Sequence, residues 1–240
     1  MADFDREAMV ELRVPYERQI NGWSCGAAAL TMVYRSLGIE CRQDTIWDAV
    51  RGQSRLGRYG AKAHTLAAHA LQRGCQALVI QVRDPWLVLN RCLEQSVRVI
   101  INHLPASKSD GGHYSVLTSL SDDQVHLHDP SFGPSRTFSR NEFLQLWNPY
   151  SGLTEILGQV MVAVARQSSQ LEPCSLCGGN SADDITCVSC LKPFRLQPLA
   201  ILGCLTDWCP MRAWERFFCP WCDHHWSSSS GRRANETRPD

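Results

Sequence analysis

The sequence predicts an α+β domain with a small cysteine-rich unit behind it. Three observations lead there. Apolar residues recur at helical spacing through the first third of the chain, and short strand-like runs dominate the middle. Of the 12 cysteines, eight crowd between Cys174 and Cys222, largely as Cys-x-x-Cys pairs. Helices first and a mainly antiparallel sheet afterwards make an α+β order. The 240 residues are enough for one medium domain and an appendage.

The elements follow in order. Residues 25–37 carry helical apolar spacing and stop at Gly38, a natural C-cap. A second helix is expected over 44–50 and a third over 61–73, ended by Gly74. Residues 77–82 read as a buried strand, Pro85 opens a short helix to about 95, and 97–102 form another strand. Strands over 113–120 and 124–129 flank a turn containing Ser121, Asp122 and Asp123. Ser139 caps a helix to 147, with Glu142 at the capping-box position. Residues 159–165 are the last strand. The main domain is therefore expected over 1–168, and the polar 169–173 form a linker ending in a proline. The cysteine-rich unit spans 174–226, and the Ser-, Arg- and Pro-rich 227–240 form a disordered tail.

Bulk charge narrows the function. Lys and Arg total 24, as do Asp and Glu, so net charge favours neither nucleic acid nor an acidic membrane surface. The first residues contain acids and no apolar run, so they make no secretory signal, and no stretch is long enough to span a bilayer. Clustered cysteines point to metal ligation in a reducing compartment, and hence to the cytoplasm.

Cys25 stands at the entrance of the first helix, with Gln19 six residues before it and Gly26 after it. Unpaired N–H groups and the positive helix end favour its thiolate, the reactive form of a cysteine. A thiolate nucleophile needs a base, and the base needs an orienting group. His113 and Asp129 fit because they stand on two strands joined by a tight turn. A connection with an odd residue count, centred on Ser121 or Asp122, puts Asp129 opposite or diagonal to His113 on one face. An even count puts them on opposite faces. Gln19 offers a side-chain donor which, with the Cys25 backbone N–H, suits an oxyanion. Gly111 and Gly112 leave room beside His113 for a close backbone approach.

These residues carry a family resemblance. The stretch from Val14-Pro15 through Gln19 to Cys25-Gly26-Ala27-Ala28, closed by Leu37-Gly38, resembles the start of the papain-like bacteriocin-processing peptidases, also called double-glycine leader peptidases. Gly112-His113-Tyr114-Ser115-Val116-Leu117, then Val125 to Asp129-Pro130, then Phe138-Ser139 through Phe143 and Trp147, resembles the rest of the pattern. The resemblance covers about 12–165. It implies a papain-like fold in which Cys25 is nucleophile, His113 base and acid, Asp129 orienter and Gln19 oxyanion donor. Ala27 stands where family members commonly carry proline. No transporter domain of the kind usually fused to the leader-processing members is read here, so their substrate is not carried over.

In the cysteine-rich unit, Cys174 and Cys177 form one knuckle and Cys187 and Cys190 another, a set suited to tetrahedral Zn²⁺. Cys219 and Cys222 make a further half-site, completed by Cys204 and Cys209, or with one of His224 and His225 in place of a cysteine. The sets can also interleave, for instance Cys174 and Cys177 with Cys219 and Cys222. One or two structural Zn²⁺ ions are thus expected, and they should supply much of this unit's folding free energy. The dense Trp208, Trp214, Phe217, Phe218, Trp221 and Trp226 read as a miniature core around the metal, with one or two left to meet a partner protein.

Other residues are read as structural. His126 and His128 are taken as exposed strand residues, and Cys41, Cys75 and Cys92 as inert packed thiols. The expected function is a cysteine peptidase acting on peptide or isopeptide bonds of a peptide or protein, with a zinc appendage for targeting or scaffolding. The alternatives are an inactive peptide-binding adaptor and an acyltransferase using the same thioester chemistry.

Overall fold

The computed structural model describes residues 11–53, 57, 59–105, 111–148, 156–166, 173–179 and 184–227. Helix α1 (Cys25–Ser36) buries every residue from Gly26 to Tyr34, the pattern of a helix enclosed on nearly all sides. Beside it lie α2 (Gln43–Val50), the exposed hairpin β1 (Arg51–Gln53) and β2 (Tyr59–Ala61), and α3 (Ala63–Gln72). The hairpin is absent from the sequence expectations, because its two strands are only three residues long and have no apolar alternation. Strand β3 (Gln76–Val82) leads into α4 (Pro85–Glu94), where Pro85 occupies the first turn and Asp84 accepts from the Leu87 N–H. Then come β4 (Arg98–His103), β5 (His113–Leu120), β6 (Gln124–Asp129) and β7 (Gly133–Ser139). The polar β7 was not expected either. The capping box of Ser139 and Glu142 forms at the start of α5 (Arg140–Trp147), and β8 (Val160–Ala165) closes the first unit.

After it come the small hairpin β9 (Asp184–Thr186) and β10 (Pro193–Arg195), then β11 (Trp214–Phe218) and β12 (His225–Ser227). The last two do not stand apart. The main sheet runs β12-β11-β3-β8-β4-β5-β6-β7, and each neighbouring pair is antiparallel. Phe217 pairs with Ile80 and Phe218 with Val79. The physical reason lies in β3, whose centre is apolar at every position. Such an edge left open invites chance pairing, and β11 covers it.

Every residue of β5 and β8 is buried, so helices cover both faces of the sheet. Helix α1 packs on β4 and β5 and α3 on β3 and β8, while α4 and α5 pack toward β4, β5, β6 and β7. The expected miniature core is instead continuous with the main one. Leu196, Ile201, Trp214 and Phe217 belong to the same buried cluster as Ile80 and Val162. Ser227 ends β12 rather than starting a tail; the rest of the expected tail and all of the expected linker but Pro173 lie outside the described residues.

Candidate active site

Cys25 is the first residue of α1 and is half-buried. Its approach is fixed by local bonds: Asn21 N–H donates to the Ser24 hydroxyl and the Trp23 N–H donates to Asn21 Oδ1, at 3.2 and 2.9 Å. The glycine after it is dictated by packing. A Cβ at Gly26 would lie 2.9 Å from the Ala61 Cβ and 3.2 Å from the Tyr114 ring, so only glycine lets α1 approach β2 this closely.

His113 opens β5 and Asp129 ends β6, as expected, but they meet by a route that sequence spacing did not show. Near the turn, Leu120 pairs with Val125, so an even number of residues intervenes. That register alone would send His113 and Asp129 to opposite faces. A bulge between Leu117 and Ser119 shifts the pairing by one, so that Val116 meets His128. Asp129 then falls diagonal to His113 on the same face, and His113 Nε2 lies 2.7 Å from Asp129 Oδ1. The N-terminal segment holds the bulge: Leu12 N–H donates to the Thr118 carbonyl at 2.8 Å, and Glu11 bridges to Ser119.

Electrostatics follow from this placement. His113 is buried, which disfavours its charge, but bonds to Asp129 and to the Cys25 thiol outweigh burial and raise its pKa above 6.5. Burial pushes the Asp129 carboxyl up, yet His113 and the Ser131 and Phe132 N–H groups together pull it below its ordinary value. The imidazole is thus held between a carboxylate and a thiol, with its other ring nitrogen left for the sulfur.

Three further residues shape the pair, and the sequence carried little sign of them. His103 lies opposite His113 on β4, fully buried, its ring edge-on at 5.4 Å. Burial and the neighbouring His113 charge pull it down to about 4, so it is a neutral wedge. Its Nδ1 donates to the Leu104 carbonyl at 2.6 Å, and its Nε2 then accepts from the Ser115 hydroxyl at 2.9 Å. Phe132 stands edge-on to His113 at 6.4 Å and is half-exposed. Ser131 links Asp129 to Gln19: its N–H donates to Asp129 Oδ1 and its hydroxyl to Gln19 Oε1 at 2.7 Å. Gln19 Nε2 donates to the Asn21 carbonyl at 2.7 Å, which leaves one amide hydrogen uncommitted.

Gly112 has a packing reason rather than a substrate-facing one. A Cβ there would meet Ile156 at 2.8 Å and the Asn102 amide oxygen at 3.0 Å. The reading of His128 as exposed is overturned. It is buried, donates to the Val14 carbonyl at 2.8 Å and accepts from the Ser135 N–H at 3.1 Å, tying the N-terminal segment to β6 and β7. His126 is half-buried and bonds the Thr137 hydroxyl at 2.9 Å. Cys41, Cys75 and Cys92 are packed thiols that burial pushes up, as expected. A surface concavity of about 740 Å³ lies at the far end of α1, lined by Arg35, Arg42 and Arg73, whose guanidiniums engage Glu17, Asp44 and the Glu40 carbonyl.

All eight expected ligand cysteines fall into two groups, but not in the pairing first expected. Cys174 and Cys177 join Cys204 and Cys209, while Cys187 and Cys190 join Cys219 and Cys222. The pairs cross, so each group staples two distant parts of the unit. Sulfur–sulfur separations of 3.5–3.8 Å fit a common ion. Sulfurs at the corners of a tetrahedron 2.3 Å from zinc stand about 3.8 Å apart. Peptide N–H groups of Gly179, Thr206 and Trp221 each donate to the cysteine sulfur two residues earlier at 3.4 Å. The donor set thus suits Zn²⁺, and His224 and His225 belong to neither group. Trp214, Phe217 and Phe218 are buried; Trp208 is 73% exposed.

Comparison with known proteins places this geometry. An uncharacterized protein of Methanothermobacter marburgensis is 31% identical over 121 residues, which is 50% of this chain and 73% of that protein. The peptidase domain of Streptococcus ComA, a bifunctional ABC transporter, shares the fold with a TM-score of 0.51 at 18% identity, covering 65% of this chain and 100% of that one. A C39-like peptidase of Bacillus anthracis gives 0.52 at 16% identity, over 68% and 100% of the two chains. The Peptidase C39 family model matches residues 13–155, which include Gln19, Cys25, His113 and Asp129. The match spans more than half of the sequence, and with it this chain belongs to the Peptidase C39 family.

Proposed function

We propose that the protein is an active cysteine peptidase that hydrolyses peptide bonds through Cys25, His113 and Asp129. The observation that carries the reading is the buried His113 imidazole, bonded to the Asp129 carboxylate and electrostatically coupled to the Cys25 thiol at a helix N-terminus. In the first step His113 takes the Cys25 thiol proton, the sulfur attacks the substrate carbonyl carbon, and the C=O π pair moves onto oxygen. The Cys25 N–H and the uncommitted Gln19 amide hydrogen receive that oxyanion. The C–N bond then breaks, and His113 delivers a proton to the departing amine. Water attacks the resulting thioester and gives a proton to His113, the C–S bond breaks to release the acid, and His113 returns the proton to the sulfur. Asp129 keeps the imidazole oriented throughout and stabilises its cation.

The substrate is a peptide. Around the site Ile20, Trp23 and Phe132 are each about half-exposed, at 55%, 53% and 50%, and offer apolar surface for peptide side chains. The two cysteine groups hold structural Zn²⁺, since four thiolates leave no open coordination position. Thiols used as ligands suit a reducing, cytoplasmic setting. Among the described residues, no helix is long and apolar enough to cross a membrane.

Alkylation mapping by mass spectrometry tests the reading. Cys25 should take up iodoacetamide at neutral pH at least tenfold faster, as an order of magnitude, than Cys41 or Cys75. Digestion of a proteome-derived peptide library should show a cleavage pattern that vanishes in Cys25→Ser. Labelling of Cys25 no faster than the packed thiols overturns the proposal. Fast labelling without cleavage, but with peptides retained by Cys25→Ser, would move the reading to a binding module.

A further inference from the structure

The loop that carries Gln19 is held by a residue the catalytic scheme does not use. Gln43 is the first residue of α2 and only 4% exposed. A buried amide is expensive unless its donors and acceptors are satisfied, and an aliphatic side chain would fill the space more cheaply. Here each side is engaged, and by one short loop. Gln43 Nε2 donates to the Arg18 carbonyl at 2.8 Å and reaches Glu17 Oε1 at 3.3 Å. Gln43 Oε1 accepts from the Ile20 N–H at 2.8 Å, with the Ser24 hydroxyl 3.5 Å away.

Arg18 and Ile20 are the two neighbours of Gln19. One side chain therefore grips the peptide group before Gln19 and the peptide group after it, much as a paired strand would. From the other side, the Gln19 N–H donates to the Pro130 carbonyl at 3.1 Å, and the Ser131 hydroxyl holds its side-chain oxygen at 2.7 Å. With both flanking peptide planes fixed, the backbone angles of Gln19 are fixed, and so is the direction of its amide. Ser24, beside the same Gln43 oxygen, immediately precedes Cys25.

We propose that Gln43 is a positioning residue: it sets the Gln19 amide relative to Cys25 so that the oxyanion donor is in place before substrate arrives. This rests on the reading of Gln19 as that donor. The mechanism is preorganisation, in which a donor displaced by about 1 Å can lower rates up to ~100-fold.

The test separates reactions that form an oxyanion from one that does not. Alkylation of Cys25 by iodoacetamide proceeds at a saturated carbon and needs only the thiolate. Acylation by p-nitrophenyl acetate passes through a tetrahedral oxyanion and releases p-nitrophenolate. Both rates are measured on the full, zinc-loaded chain, with Cys25→Ser subtracted for the other thiols. Gln43→Met and the milder Gln43→Asn should lower acylation by roughly ten- to a hundredfold and alkylation by less than about threefold. Neither should lower acylation further in a Gln19→Ala background. The proposal is overturned if both reactions fall alike, if neither falls, or if the losses multiply with Gln19→Ala. If Gln19→Ala itself leaves acylation unchanged, the donor reading fails; if Gln19→Ala slows acylation and the Gln43 variants do not, only the positioning role fails.

Discussion

The two ends of the main sheet are held by different physics. At the β6–β7 end, a bulge, a buried histidine and a row of hydrogen bonds to the N-terminal segment set the geometry, and apolar burial supplies the stability. At the β11–β12 end, two crossed groups of thiols stand next to the strands, in a stretch too short to bury much by itself. Yet β11 pairs with β3, and one apolar cluster runs through both ends. The two cysteine groups and the apolar packing therefore belong to a single folded body. The lesson is that a cysteine-rich appendage need not be a tethered module; here it closes an apolar sheet edge.

Removing metal tests that comparison most strongly. A zinc-sensitive dye with a thiol-reactive mercurial should release two equivalents per chain, one for each cysteine group. Structural zinc sites carry apparent binding free energies of about 10–16 kcal/mol, so stripping should unfold the C-terminal unit. Because β3 would lose its partner, the rest of the chain should also melt at lower temperature. An unchanged melting temperature for the stripped protein would separate the two ends.

Cys25→Ser comes next. It should abolish turnover, by roughly 10⁴-fold or more, without changing metal content or melting temperature. A melting shift of many degrees would mean that Cys25 serves the fold rather than the proposed chemistry.

Asp129→Asn should lower turnover by about 10²–10⁴-fold. It also has a pH signature. The folded His113 pKa is raised, so the stability from its charge is fully present below the unfolded value of 6.5 and is lost as pH rises through the folded value. The wild-type alkaline limb of kcat/KM should therefore lie above the ordinary histidine range, and Asp129→Asn should move it down. An alkaline limb that stays in place in the variant would remove Asp129 from its role.

Phe217→Ala asks whether the ends melt together. Phe217 is buried, faces Ile80 across the sheet and stacks on Trp226 at 4.9 Å. Its loss should cost about 3 kcal/mol. Calorimetry should show one shifted transition; two separated transitions would break the picture of one body. The smallest effect belongs to Ser139→Ala, which deletes the α5 capping box and should cost about 1 kcal/mol, read from denaturant midpoints.

Periodicity and capping chemistry are local, so the main helices and strands were legible to within a residue or two. The capping box at Ser139 and the strand limits of 113–120 and 124–129 show this. The hairpin at Tyr59 and the polar strand starting at Gly133 were not legible, since neither carries apolar alternation. Gln43 looked like the residue before a helix, and its buried amide is explained only by a loop some twenty residues away in the chain. Ser131 and His103 likewise acquire meaning only from what lies across from them.

By itself, the sequence determined the residue types and the local elements: a cysteine at a helix entrance, a histidine and an aspartate on adjoining strands, and eight thiols in knuckle-like spacings. Tertiary structure alone decided how they meet. Nothing in the run Val116 to Leu120 marks Thr118 as a bulge, because a bulged strand uses the same apolar residues as a regular one; the bond from Leu12 shows where the register shifts. Nor does ligand spacing say which pairs share an ion, because that depends on where the chain crosses itself, and the crossing is set by β11 lying on β3.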